Sequence, residues 1–212
     1  MKPPMSSEHS NALLLVLSAP SGGGKTTVSQ KLLQRNPNLT RAITCTTRSP
    51  REGERDDVDY YFLEAGQFLK RVQAGNFLEH ATVYGNSYGT LKAEVLGKLR
   101  HGKDVLLSVD VQGAAAIQSQ AAEDSELEQA LVTVFLTPPS LAILEDRLRK
   151  RNQDLSTVIH KRLAHARQEI AQWKHFDYLV VSSSIDEDVR RMQAIIDAEK
   201  MRQSRSAPPL GD

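Results

Sequence analysis

The feature that most constrains this chain is a glycine-rich stretch between an apolar run and a helical pattern. The apolar run covers Ala12 to Leu17, and the loop after it reads Ser18-Ala19-Pro20-Ser21-Gly22-Gly23-Gly24-Lys25-Thr26-Thr27. From Ala19 onward, every position but the first matches the phosphate-binding pattern G-x-x-x-x-G-K-[ST]. Strand, loop and helix are the context that this pattern requires, and the alternative is a glycine-rich turn beside a chance lysine.

Each residue type in this loop suits a bound polyphosphate. We expect the three glycines to let the backbone adopt positive φ and to point consecutive N–H groups at phosphate oxygens. The N-terminus of the next helix adds further donors and positive potential. Lys25 can bind the β and γ phosphates, and the Thr26 hydroxyl can ligate Mg²⁺. The loop therefore predicts ATP-phosphate contacts from Ser21, Gly22, Gly23, Gly24, Lys25, Thr26 and Thr27, with Thr26 as the metal ligand.

Length, charge and cysteine content limit the class of protein. The chain has 212 residues, which fits one α/β core, and a net charge of +1 without a basic block. Nothing in this balance favours a nucleic acid or a membrane surface as partner. The single cysteine, Cys45, excludes an internal disulfide and suits a reducing cytoplasm. Ala12 to Ala19 superficially resembles a signal peptide, but cleavage there would separate the phosphate loop from its strand.

Strand-like and helical patterns alternate along the chain. The strand-like runs are Ala42 to Thr46, Tyr60 to Leu63, Phe77 to Tyr84, Val105 to Val109, Leu131 to Leu136 and Tyr178 to Val181. Such alternation predicts a three-layer α/β fold, with a parallel central sheet covered by helices on both faces. Residues 121–129 either extend a helix or form a loop.

The same patterns divide the chain into segments. Residues 1–10 and 202–212 read as a disordered N-terminal tail and a C-terminal tail, respectively. Between them we expect one domain, 11–201, with a core of 11–39 and 96–201. A small inserted subdomain covers 40–95. A basic helical lid covers about 147–165, with a hinge near Asn152 to Ser156.

Several short motifs follow the glycine loop in a fixed order. They are Thr46-Thr47-Arg48-Ser49-Pro50-Arg51-Glu52-Gly53-Glu54, Asp59-Tyr60-Tyr61-Phe62, Phe77-Leu78-Glu79-His80-Ala81, Gly85-Asn86-Ser87-Tyr88-Gly89-Thr90 and Asp110-Val111-Gln112-Gly113. With the loop, they resemble the guanylate kinase family of P-loop nucleoside monophosphate kinases, from about Leu14 to Met201. The resemblance implies transfer of a phosphoryl group from ATP to GMP with Mg²⁺, and an insert that binds GMP.

The resemblance also implies which residues bind GMP. Arg48, Arg51, Tyr60 and Tyr88 match positions that hold the GMP phosphate, and two guanidinium groups with two phenols suit a dianion. Glu79 matches the position that reads guanine, since a carboxylate can accept from N1–H and from the 2-amino group. In the same way, the resemblance brings in Thr44 near guanine O6, Asp110 near the amino group, and Thr90 where the family often has serine.

The basic lid carries the remaining catalytic candidates. Arg147, Arg151 and Arg162 match family arginines that close on the transferring phosphate, and with Lys25 and Arg48 they form the predicted catalytic set. Phosphoryl transfer depends mostly on positioned cations and exclusion of water. The alternatives are that the lid arginines are solvated on a helix surface, and that Tyr60 and Tyr88 are core aromatics.

Two departures from the family stand out. Ser108 lies where the family commonly has aspartate at the end of a strand, and Ser182-Ser183-Ser184 replaces an Asn-Asp pair near the adenine. Two rival functions remain at this point. One is a scaffold module that binds phosphopeptides, although such modules usually have degraded phosphate loops, and the other is a kinase for a phosphorylated sugar. We expect ATP and GMP as small-molecule partners, and a homo-oligomer is possible from the sequence.

Overall fold

Two β-sheets organise the part of the chain that the computed structural model describes, residues 11–150 and 156–206. The strands are β1 (Leu14–Ser18), β2 (Leu39–Arg41), β3 (Thr44–Thr46), β4 (Tyr61–Phe62), β5 (Phe77–Val83), β6 (Asn86–Leu91), β7 (Asp104–Ser108), β8 (Leu131–Thr137) and β9 (Tyr178–Val181). The α-helices are α1 (Lys25–Arg35), α2 (Ala65–Gln73), α3 (Lys92–Arg100), α4 (Val111–Ala121), α5 (Ser125–Ala130), α6 (Leu141–Lys150), α7 (Ser156–Ile170) and α8 (Ile185–Lys200).

The larger sheet is parallel and has the strand order β2-β7-β1-β8-β9. Its central strand β1 is buried at every position, as expected for a parallel strand covered on both faces. Alternate side chains of a strand point to opposite faces. Leu14 and Val16 accordingly pack with α3, α4 and α5, whereas Leu13, Leu15 and Leu17 pack with α1 and α8. The predicted three-layer α/β fold is confirmed.

The smaller sheet has the order β4-β3-β6-β5 and lies between β2 and α3 in the chain. Its pairs are antiparallel except for β3 with β4, and it has its own small core of Cys45, Phe68 and Phe77. The sequence places Thr40 and Arg41 in the insert, but they pair with β7 of the larger sheet because β2 continues past buried Leu39. The division into core, insert and lid stays a prediction.

Two further segments differ from the sequence patterns. The glycine-containing motif from Asn86 to Thr90 belongs to a regular strand, β6, which pairs with both β3 and β5. The polar stretch 121–129 contains a separate short helix, α5, because the Asp124 carboxylate accepts from the N–H groups of Glu126 and Leu127 and so starts a new helix. Residues 152–155 of the predicted hinge, the whole N-terminal tail 1–10 and residues 207–212 of the C-terminal tail lie outside the described residues.

Helices α6 and α7 form a pair beside the main sheet. They pack through Leu144 and Leu148 on α6 and through Ile159 and Ala166 on α7. Their contacts with the glycine loop, described below, place this pair next to the candidate site. Throughout the described ranges, each helix is too short or too polar to cross a lipid bilayer.

Candidate active site

The glycine loop connects the end of β1 to the first residue of α1. Gly22 and Gly24 have φ of 84° and 102°, in the left-handed region that glycine adopts readily. Gly23 lies outside that region, so our expectation of positive φ at all three glycines is wrong at this position. Glycine is required there for space instead, because a Cβ on Gly23 would lie 2.9 Å from both the Ala19 Cβ and the Pro20 carbonyl oxygen.

Lys25 lies at the carboxyl edge of the central strands. Its ammonium donates to the carbonyl oxygen of Val109 at 2.8 Å and, at 3.4 Å, to that of Ala19. Burial lowers the pKa of Lys25, and the negative charges of Asp110 and Glu169 partly offset that effect. A half-buried ammonium whose hydrogen bonds go to neutral carbonyl groups is partly desolvated, and a bound anion would offset that cost.

The glycine loop also contacts both helices of the predicted lid. A Cβ on Gly22 would lie 2.9 Å from Leu148 Cδ2 and 3.2 Å from Leu144 Cδ1 of α6. The Ser21 N–H donates to the Glu169 carboxylate of α7 at 3.2 Å. The sequence gives no motif for Glu169, and we did not predict this contact. Thr27, in contrast, is exposed on α1.

A cavity of about 640 Å³ lies between the two sheets, a size that suits a small ligand such as a nucleotide. Predicted site residues from the smaller sheet, from α1 and from the segment after β7 line it: Thr26, Thr44, Tyr60, Glu79, Tyr88, Thr90 and Asp110. The structure therefore brings together residues that are far apart in the sequence. We refer to this cavity as the main cleft.

Glu79 points into the main cleft because β5 is irregular at its start. The register with β6 shifts between Phe77 and Glu79, and such a bulge changes the direction of the following side chains. Phe77 packs in the small core and Leu78 in the main core, which leaves Glu79 in the cleft. The Thr90 hydroxyl donates to Glu79 Oε1 at 2.7 Å. Burial raises the pKa of Glu79, although the Thr90 hydrogen bond partly opposes this.

The predicted phosphate-binding arginines lie beside the cleft, and neither belongs to its lining. The Arg48 guanidinium donates to both carboxylate oxygens of Glu54 at 2.9 Å, and its Cζ lies 5.4 Å from the Tyr60 ring centroid. Tyr60 and Tyr88 pack edge to face at 6.4 Å. The Arg51 side chain is exposed, while its backbone N–H donates to Glu54. Glu54 therefore holds this loop together, and its pKa is lowered mainly by the Arg51 backbone N–H and also by Arg48.

Ser108 and Asp110 both line the main cleft, Ser108 as the last residue of β7 and Asp110 as the residue before α4. Asp110 also caps α4, since its carboxylate accepts from the Gly113 N–H at 2.8 Å. Ser108 is exposed at the end of β7, and Thr26 lines the same cleft. Within the described ranges there is no cluster of histidine, cysteine and acidic residues that could bind a metal alone. A metal here would depend on hydroxyl groups and on ligand phosphates.

The described residues include two of the three predicted lid arginines, Arg147 and Arg162. Arg147 on α6 donates through Nη2 to Ser182 Oγ at 3.3 Å. Arg162 is half-buried on α7, and Arg151 lies outside the described residues. Whether the three arginines converge on one phosphate stays a prediction.

Among the charged residues that line the main cleft, sequence reasoning missed Arg41. Arg41 lines the cleft at the end of β2, where its guanidinium donates to the Asp59 carbonyl oxygen at 2.8 Å and lies 6.0 Å from the Tyr60 ring centroid. A signal was present, because ligands of parallel sheets bind at the carboxyl ends of the strands. Residues 39–41 are too short a run to be recognised as a strand by periodicity alone.

Four features of the site together define a class of protein: the glycine loop, Lys25, the Thr26 hydroxyl and the main cleft. A glycine loop between a parallel strand and a helix, beside a nucleotide-sized cleft with a half-buried carboxylate, is the arrangement of a P-loop nucleotide kinase. The profile of the guanylate kinase family matches residues 11–199. The chain belongs to the guanylate kinase family.

Individual relatives agree with this assignment. The guanylate kinase of Maricaulis maris is 42% identical over 91% of this chain and 86% of the relative. That of Paramagnetospirillum magneticum is 44% identical over 91% of this chain and 87% of the relative. The crystal structure of guanylate kinase from Anaplasma phagocytophilum superposes with a TM-score of 0.69 at 33% identity, covering 92% of this chain and 90% of that one.

Proposed function

We propose that this protein transfers the γ-phosphoryl group of ATP to GMP, giving ADP and GDP. The observation that carries the proposal is the main cleft, which joins the start of the phosphate-loop helix at Thr26 to the Glu79–Thr90 pair of the smaller sheet. One end of the cleft supplies phosphate-binding groups, and the other supplies a carboxylate for the base. Family membership supports the same reaction.

The base is selected by the acceptors of Glu79. Guanine presents N1–H and a 2-amino group, which are both donors, whereas adenine presents a lone pair at N1. Adenine would leave a buried carboxylate without its partners, and sites built to bind such donors can discriminate by about 10⁴. The Thr90 hydroxyl holds Glu79 in place, and Thr44 is available for guanine O6.

The phosphates are bound by groups on both sides of the cleft. We assign Ser21 to Thr27 to the ATP phosphates, and Arg48, Arg51, Tyr60 and Tyr88 to the GMP phosphate. Lys25 would exchange its carbonyl partners for phosphate oxygens and stabilise charge that shifts toward the leaving oxygen. The GMP phosphate is already an anionic nucleophile, so no general base is needed. Arg147, Arg151 and Arg162 would supply further positive charge and exclude water.

A divalent metal belongs to this reaction in the family, and we propose Mg²⁺. Thr26 and Ser108 fit that ion, because both present hard oxygen atoms to the main cleft. Magnesium usually keeps several waters and takes only one or two protein ligands when phosphates supply the rest. When bound, it would neutralise charge on the phosphates. Thr26 would then be the direct ligand, and Ser108 would hold a metal-bound water.

A coupled assay with ATP and Mg²⁺ tests the proposal. GMP, AMP, UMP and a ribose bisphosphate are supplied as alternative acceptors, and only GMP should give rapid turnover. Turnover with the sugar phosphate instead of GMP would show a different kinase. The absence of turnover with every acceptor would favour a binding module. The cytoplasmic location, the lack of nucleic-acid or membrane partners and any homo-oligomer stay predictions.

A further inference from the structure

Asp188 is a buried carboxylate at the start of α8 that the proposed function does not use. It is only 1% exposed, and both its oxygens contact the segment between β9 and α8. Oδ2 accepts from the Ser182 hydroxyl at 2.6 Å, and Oδ1 accepts from the Ser183 N–H at 3.0 Å. Nearby Asp186 is also acidic but exposed, and it pairs with Lys31. A position in the first turn of a helix explains an exposed acid, but it does not explain a fully buried one.

The contact with Asp188 fixes the direction in which the Ser182 hydroxyl donates its proton. A serine hydroxyl has one proton and two lone pairs, and its proton rotates to the best acceptor. At 2.6 Å, the carboxylate of Asp188 takes that proton, so the lone pairs of Ser182 Oγ are left for other donors. Arg147 Nη2 donates to this oxygen at 3.3 Å. Asp188, Ser182 and Arg147 therefore form a directed chain of hydrogen bonds.

The chain of hydrogen bonds ends at a second cavity, of about 560 Å³, which Arg147 and Ser182 both line. Arg147 lies on α6, and the same helix contacts the glycine loop through Leu148. An arginine side chain loses rotamer entropy when it is fixed in one orientation. An acceptor held in place by a buried carboxylate lowers this cost before the ligand arrives, because the guanidinium is already oriented.

We propose that Asp188 is a positioning residue, which acts through Ser182 to orient Arg147 for phosphoryl transfer. The inference rests on the proposed function and on the assignment of Arg147 to the transferring phosphate. Asp188 does not touch the substrates. It orients the Ser182 hydroxyl, whose oxygen accepts a hydrogen bond from Arg147.

The test compares Ser182→Ala and Asp188→Asn with the wild type in the GMP assay. Ser182→Ala removes the hydroxyl oxygen that accepts from Arg147. Asp188→Asn replaces one carboxylate oxygen by an NH₂ donor, which must face either the Ser182 hydroxyl or the Ser183 N–H. Each should lower kcat about three- to tenfold, the effect of one hydrogen bond. The KM for GMP should change less than twofold, because the residues assigned to GMP lie in the smaller sheet, in its loops and at the start of α4. In an Arg147→Ala background, neither substitution should cause a further loss.

Asp186→Asn is the matched control, because it removes a carboxylate from the same helix end without contacting Ser182. It should leave kcat unchanged, and thermal unfolding should show that all variants fold. Additive losses in the Arg147→Ala background, an unchanged kcat in Ser182→Ala, or an equal loss in the control would overturn the positioning role. An Arg147→Ala variant with normal kcat would overturn it as well. A wild type without GMP turnover would refute the proposed function itself.

Discussion

Glu79 gives the sharpest prediction, because one isosteric substitution changes its hydrogen-bonding pattern and preserves its shape. Glu79→Gln keeps the side-chain volume but turns one acceptor oxygen into a donor. The new amide would face a guanine donor, or it would face the Thr90 hydroxyl that now donates to Oε1 at 2.7 Å. In either orientation, the amide NH₂ group faces another hydrogen-bond donor. We therefore expect GMP use to fall while ATP binding is retained.

The magnitude follows from the bonds involved. A hydrogen bond to a charged group contributes about 1.5 to 3 kcal/mol, and a buried polar group without a partner costs about 1 to 3 kcal/mol. Each 1.36 kcal/mol corresponds to about a factor of ten in rate. The kcat/KM for GMP should therefore fall by about 10² to 10⁴, with the KM for ATP within a factor of about two of the wild type.

The pH dependence provides an independent check on the same residue. Burial raises the pKa of Glu79, so the carboxyl group takes up a proton at a higher pH than an ordinary glutamate. The acceptor pair is lost as pH falls through this raised pKa, and kcat/KM for GMP should decline on the acid side. The Glu79→Gln variant should lack this acid limb. The charged form is disfavoured in the folded protein, so the variant should also unfold at a higher temperature at neutral pH.

Steady-state kinetics with GMP and AMP measure these effects, and Thr90→Ser serves as the control because it keeps the hydroxyl donor. If the GMP to AMP preference of Glu79→Gln equals that of the wild type, Glu79 does not read the base. A preference lost equally in Thr90→Ser would instead indicate general distortion of the cleft.

Three further substitutions test other parts of the site. Lys25→Ala should lower kcat by about 10² to 10³, the range for removing a preorganised electrostatic group, and near-normal turnover would reject that assignment. Turnover of Ser108→Asp should saturate at lower free Mg²⁺ than turnover of the wild type, because a charge-assisted hydrogen bond is about twice as strong as a neutral one. Coincident Mg²⁺ titrations of the two proteins would show that residue 108 does not contact the metal or its waters. Glu54→Gln should raise the KM for GMP about threefold to thirtyfold by releasing Arg48 from a two-point contact, and an unchanged KM would separate Arg48 from GMP binding.

The parts of the fold that the sequence predicts well are those with local causes. The apolar run of β1 and the glycine loop are contiguous, so periodicity and spacing identify both. The direction of Glu79 is different, because it depends on a register shift between β5 and β6 that only the pairing of two strands creates. The resemblance assigned Glu79 to the guanine base, and the structure places Glu79 in the main cleft, but the register shift that directs it there was not readable from the sequence.

The same distinction applies to the residues that support the site. The contact between Arg48 and Glu54 spans six positions and lies in a loop without periodicity, so nothing in the sequence pairs them. The contact between Ser21 and Glu169 joins residues 148 positions apart. Contacts of this kind follow from the packing of finished elements, and a single sequence contains no signal for them.

The charges of Lys25 and Glu79 lower the stability of the ligand-free protein. Lys25 and Glu79 are both half-buried, which lowers the pKa of Lys25 and raises that of Glu79, so each charged form is disfavoured relative to water in the absence of ligand. An apolar or amide side chain would cost less at either position. Under the proposed function, each charge gains further partners when a ligand binds: phosphate oxygens at Lys25 in addition to its two carbonyl groups, and donors of a base at Glu79 in addition to the Thr90 hydroxyl. A chain that used the cleft only as a rigid surface would gain stability by losing both charges, so their presence together favours the enzyme over the binding module.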